Sequence, residues 1–119
     1  MRVAARASHP REACGILFGE GKRIIALRET ANIHPAPETH FEIDPQALID
    51  AHRSARAGGP QVLGYFHSHP TGRAEPSATD AAMAAGDGAI WAIVAGDEVR
   101  LWRDTAQGFR ALSYGDPSD

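Results

Sequence analysis

The run His67-Ser68-His69-Pro70-Thr71-Gly72-Arg73-Ala74-Glu75-Pro76-Ser77-Ala78-Thr79-Asp80 brings two imidazoles, a hydroxyl and a carboxylate into fourteen residues. The segment before it, Val62-Leu63-Gly64-Tyr65-Phe66, is apolar and strand-like. Residues i and i+2 of a strand point to the same face, so His67 and His69 can grip one ion. Asp80, returning after the Gly/Pro loop, supplies the carboxylate that completes a three-ligand site. Catalytic Zn²⁺ commonly takes three protein ligands and keeps a fourth position for water. The chemistry implied is hydrolysis.

Hydrolysis needs more than ligands. Zn²⁺ lowers the pKa of water from 15.7 to roughly 7, and an unligated carboxylate nearby must accept the proton and pass it to the leaving amine. The oxyanion of a tetrahedral intermediate also needs a donor beside the metal. Ser77, three residues before Asp80, is placed for that task. Ser-x-x-Asp is equally a helix-opening cap that requires no chemistry, and the two roles are compatible. Singly, His67 and His69 read as ordinary strand histidines; as a pair tied to Asp80 they read as a metal site. On residue type alone, Glu12, Glu42 and Glu75 are equivalent candidates for the free carboxylate.

The elements that must position these groups follow from punctuation and periodicity. A short helix over about residues 3–8 stops at His9-Pro10, because the residue before proline avoids the helical region. Residues 13–18 read as a buried strand, turning at Gly19-Glu20-Gly21 into a second strand over 23–29. A Pro-containing loop over 32–40 leads to a short strand at 41–43. Asp44-Pro45 then caps a helix with Leu48, Ile49 and Ala55 among its apolar positions, ending at Gly58-Gly59. A strand over 61–67 precedes the site loop, and Pro76-Ser77 opens a helix through about residue 85. Three strands, 89–95, 98–104 and 109–113, close the chain. The order predicts an α/β (α+β) fold, a mixed and mainly antiparallel sheet flanked by helices.

The 119 residues suit one domain, 1–119, with a single core. A net charge of −3 argues against nucleic acid as the main partner, since that requires a basic patch. The one cysteine, Cys14, cannot form an intrachain disulfide, which points to the cytoplasm. No window approaches eighteen apolar residues, so no membrane-spanning helix is expected. Residues 1–7 carry charge without an apolar stretch, unlike a signal peptide. Cys14 reads as a small buried hydrophobe, with a thiolate reaching the metal as the minor alternative. Nothing in the sequence specifies an oligomeric state.

The pattern His67-x-His69-Pro70, seven residues, Ser77, two residues, Asp80 resembles the JAMM (MPN+) metallopeptidase motif position for position. The stretch Pro10-Arg11-Glu12-Ala13-Cys14-Gly15-Ile16-Leu17-Phe18-Gly19 looks like the segment bearing that family's catalytic glutamate. Phe41-Glu42-Ile43-Asp44-Pro45 resembles its middle region. The resemblance implies that His67, His69 and Asp80 bind one Zn²⁺ per chain. It also implies that Glu12 is general base and then acid, and that Ser77 helps hold the oxyanion. The implied fold is a curved, cytidine deaminase-like sheet flanked by helices. The implied substrate is a ubiquitin-like or sulfur-carrier protein, cut after a C-terminal Gly-Gly; separately, the tail is expected to dock as an added strand. Only Gly86-Asp87-Gly88 stands where larger members insert a substrate-cradling lid, so an open site is expected.

Two other classes are compatible with these residues. One is a zinc-binding scaffold module without turnover, like the inactive MPN relatives, although those usually lack the full ligand set. The other is a RadC-like protein linked to DNA metabolism, which shares a similar His-x-His-Pro loop; the acidic balance and the Glu12 context weigh against it.

Overall fold

A computed structural model describes residues 1–21 and 23–112 of the chain. In order, the elements are α1 (Arg2–Ser8), β1 (Cys14–Glu20), β2 (Arg23–Thr30), α2 (Pro45–Arg56), β3 (Gln61–Ser68), α3 (Ala78–Met83), β4 (Ile90–Ala95), β5 (Glu98–Thr105) and β6 (Gly108–Ala111). The strands form one sheet in the order β2-β1-β3-β4-β5-β6. Among the described residues, β3 and β4 make its one parallel pairing, running from Gly64 opposite Ile90 to Ser68 opposite Val94. The expected mixed, mainly antiparallel architecture is what the chain adopts.

Alternation along the central strands divides the apolar residues between two faces. Cys14, Ile16 and Trp91 pack on one face with Phe41, Ile43 and Ala51 of α2. Ala13, Leu17, Phe66, Ile90 and Ala92 pack on the other, where Ala4 of α1 and Leu101 lean against them. β4 is buried from Ile90 to Val94, the continuous apolar run of a strand covered on both sides. Within α2, Asp44 Oδ1 accepts from the Gln46 N–H at 3.0 Å and Pro45 opens the helix. Ala51 is its buried residue, whereas Ile49 is 47% exposed.

Four expectations need correction. Residues 41–43 form no strand: a single bridge joins Asn32 to Ile43. Phe41 and Ile43 instead give their side chains to the core. The helix expected through residue 85 ends at Met83, because the buried Asp104 carboxylate draws off the Ala85 and Gly86 N–H groups at 3.0 and 3.1 Å. The hairpin turn comes later than expected, since β1 runs on through Glu20. The last expected strand ends at Ala111, and its final expected residue, Ser113, lies outside the described residues.

The parallel pairing depends on Gly64. A methyl group there would run into the backbone of Ile90, so β3 and β4 can approach only because this position has no side chain. Gly64→Ala is expected to lower unfolding free energy by about 1–3 kcal/mol, the usual range for overpacking. Urea denaturation of the two proteins measures the difference.

Candidate metal centre

The site forms where β3 ends beside β4. His67, the penultimate residue of β3, is fully buried. Phe41 stacks on its ring at 4.3 Å between centroids, and Trp91 meets it edge-on at 5.6 Å. His69 lies just past the strand, but its N–H still donates to Val94 O at 2.7 Å. The backbone register of the strand therefore continues far enough to turn both imidazoles to one side. The loop beyond is held by Trp102, whose Nε1–H donates to Ala74 O at 3.1 Å.

Asp80 arrives from α3. Ser77 is the N-cap: its Oγ accepts from the Asp80 N–H at 3.0 Å, and its own N–H donates to Asp80 Oδ2 at 2.9 Å. This reciprocal capping box fixes the Asp80 carboxylate as well as the helix. One arrangement starts α3 and aims the acid.

The three side chains converge. Nε2 of His67 lies 3.1 Å from Nε2 of His69 and 3.1 Å from Asp80 Oδ1. Nε2 of His69 is 3.1 Å from Asp80 Oδ2. Zinc bonds of about 2.0–2.1 Å in a tetrahedron place ligand atoms about 3.3 Å apart, so this spacing suits a shared small cation. The tautomer of His69 agrees. Its Nδ1 is 2.7 Å from Arg73 O, and a carbonyl can only accept, so Nδ1 carries the hydrogen. In neutral His69 the lone pair is then on Nε2 and faces the carboxylate. A second hydrogen bond of this kind commonly orients a metal-binding histidine. Among the described residues, His67, His69 and Asp80 form a group able to hold a metal ion.

The electrostatics follow from burial and proximity. Burial dominates at His67 and pushes its pKa down, keeping the ring neutral and able to ligate. Burial works the same way on His69, but Asp80 and the Arg73 carbonyl outweigh it and raise its pKa. Burial alone would raise Asp80; the two imidazoles and the Ser77 N–H hold its carboxyl well below the usual range.

Glu12 stands outside the group of three, just before β1, and is 5% exposed. Burial pushes its carboxyl up to about 7, with His69 pulling it down and Asp80 pushing it up. A carboxylate with that pKa can take up and release a proton near neutrality. Among the described residues, Glu12 Oε1 and His67 Nδ1 are buried without a hydrogen-bond partner. Glu42 is exposed, and Glu75 pairs with Arg73 and Arg100 at 3.5 and 3.7 Å. Ser77 is exposed at the rim. Cys14 lies in the core, with Sγ 3.7 Å from Ala31 O, and burial raises its thiol pKa. Sequence reasoning passed over Ser68, the residue between the two histidines; its Oγ accepts from the buried Ala13 N–H at 2.7 Å.

Comparison with known proteins places this geometry among relatives. The family model described as prokaryotic homologs of the JAB domain matches residues 1–105. A desampylase of Haloferax volcanii is 30% identical over 115 residues, covering 94% of this chain and 83% of the relative. A probable TtuB-protein conjugate cleaving protease of Thermus thermophilus is 40% identical over 73 residues, covering 60% of this chain and 47% of the relative, under half its length. The solution structure of a Desulfitobacterium hafniense protein superposes with a TM-score of 0.78 at 30% identity, covering 95% of this chain and 83% of that one.

If the three convergent atoms bind a metal, His69→Ala and Asp80→Ala should each release it. Elemental analysis of the purified variants is the check, and undiminished metal content would contradict the assignment.

Proposed function

The chain belongs to the prokaryotic homologs of the JAB domain, and from that premise we propose that it is a zinc-dependent peptidase or isopeptidase cutting after the C-terminal Gly-Gly of a ubiquitin-like or sulfur-carrier protein. One observation carries the reading: the 3.1 Å contacts that join the Nε2 atoms of His67 and His69 to each other and to the two Asp80 oxygens, beside a buried glutamate whose Oε1 is unpartnered. The relatives support the substrate class, one by the name desampylase and one as a protease of protein conjugates.

Two imidazole nitrogens and a carboxylate oxygen suit Zn²⁺, one per chain, held by His67, His69 and Asp80. When bound, zinc supplies Lewis acidity that makes water nucleophilic near pH 7 and polarises the scissile carbonyl. Glu12 takes the proton from the attacking water and returns it to the departing nitrogen, and its raised pKa suits both transfers. The Ser77 oxygen already accepts the Asp80 N–H, which leaves its O–H to donate to the oxyanion. Residues 84–89, which join α3 to β4, are too few to build a lid over the site. The body of the partner therefore contributes to selection. Residues 1–119 act as one domain, and the single buried cysteine suits a cytoplasmic setting. Among the described residues, no helix is long and apolar enough to cross a membrane.

Glu12→Gln is expected to keep its zinc and lose hydrolysis by about 10²–10⁴-fold, the usual worth of general acid–base catalysis. The assay follows mass loss from carrier proteins of the same source, extended beyond Gly-Gly by a short peptide. Turnover at the wild-type rate would remove Glu12 from the mechanism. A chelator should abolish cleavage and added Zn²⁺ restore it; activity that survives metal removal, verified by elemental analysis, would exclude a zinc peptidase.

A further inference from the structure

We infer that Asn32 is a positioning residue for Glu12, acting with Ser68 to clamp the backbone that carries the glutamate. The inference rests on the reading of Glu12 as the proton carrier. Because Oε1 of that carboxylate has no hydrogen-bond partner among the described residues, its aim must come largely from the main chain.

The peptide groups around Glu12 precede β1, yet each has a partner. The Glu12 N–H donates to Pro37 O at 2.6 Å, and the Glu12 carbonyl accepts from Asn32 Nδ2 at 3.0 Å. On the other side, the Ala13 N–H donates to Ser68 Oγ at 2.7 Å, and the Ala13 carbonyl accepts from the Ser68 N–H at 3.0 Å. Ser68 lies between the two histidines, so half of the clamp refers Glu12 directly to the metal group. The other half is the loop after β2.

Asn32 organises that loop. Its Oδ1 accepts from the His34 and Glu42 N–H groups, both at 3.1 Å. Its Nδ2 donates to His40 O at 2.9 Å as well as to Glu12 O, with a longer contact to Pro37 O at 3.4 Å. A side-chain amide has two donor hydrogens and an oxygen with two lone pairs, and here all of them are engaged. The loop that supplies Pro37 O to Glu12 is thus shaped by the same side chain that holds the Glu12 carbonyl. Sequence offered only a weak signal, an asparagine at the start of a polar loop, because its five partners come from both sides of it in the chain.

Asn32→Asp is isosteric and keeps the acceptors for His34 and Glu42, but turns an oxygen toward the carbonyls of Glu12 and His40. The measurements are zinc content, melting temperature, kcat and KM, with a carrier protein extended past Gly-Gly as substrate. The expected result is one zinc per chain, KM within about twofold of wild type and kcat reduced about 10- to 100-fold, as for a misplaced catalytic group. On a Glu12→Gln background, read by single turnover at high enzyme concentration, the same change should add no further loss. An unchanged kcat, loss of zinc, or an equal factor on both backgrounds would overturn the inference. If Asn32→Asp does not fold, Asn32→Ala is read the same way; failure of both to fold assigns Asn32 to the fold alone and overturns it too. Wild-type turnover by Glu12→Gln by itself would instead defeat the reading beneath.

Discussion

Two imidazole Nε2 atoms and the two oxygens of one carboxylate are held in contact at 3.1 Å in a nearly dry interior, and the surrounding structure keeps them there. The His69 Nδ1 hydrogen is committed to the Arg73 carbonyl, so neutral His69 has no proton to offer Asp80. Burial keeps His67 neutral as well, and the one hydrogen of its ring, when on Nε2, is within reach of Asp80 and of His69. A divalent ion in place of that hydrogen would engage both rings and the carboxylate at once. By its donor set the group could hold a metal ion.

The fold delivers these atoms economically. The parallel pairing of β3 with β4 brings both histidines to the carboxyl end of β3, where side chains beyond a sheet are free to converge. The chain then has to return an acid to the same point. A six-residue helix is too short to be stable alone, and α3 exists because Ser77 and Asp80 cap it reciprocally. Its first turn is ordered by the residue that faces the imidazoles, so the structural and chemical readings of Ser-x-x-Asp describe the same hydrogen bonds.

Much of this was legible in the sequence. Strands and turns follow from alternation and from Gly, Pro and Asp positions, and the convergence of His67, His69 and Asp80 follows from their spacing on a strand–loop–helix unit. What stayed hidden was non-local. Phe41 looked like a strand residue because it alternates with Ile43 across Glu42, yet it stacks on His67. The end of α3 is set by Asp104, nineteen residues beyond Ala85, which no local signal announces. Asn32 is the same kind of case, since its role lies in closing a loop and not in its own type. Glu12 could be separated from Glu42 and Glu75 only by family resemblance, because its burial is a tertiary property.

That burial sets a tension within the site. Neither the buried Glu12 Oε1 nor His67 Nδ1 has a partner among the described residues, and a buried polar group left so costs about 1–3 kcal/mol unless water or a ligand satisfies it. A site selected for stability alone would give both a partner. A partner donating to Glu12 would favour its charged form and pull its pKa down from about 7, making it a poorer proton acceptor for the role proposed here. The unpartnered oxygen thus suits the proton-carrying role proposed for Glu12 beside His67, His69 and Asp80. It also explains why the rigidity that such a glutamate needs is built into the peptide groups on either side of it and not into its own carboxylate.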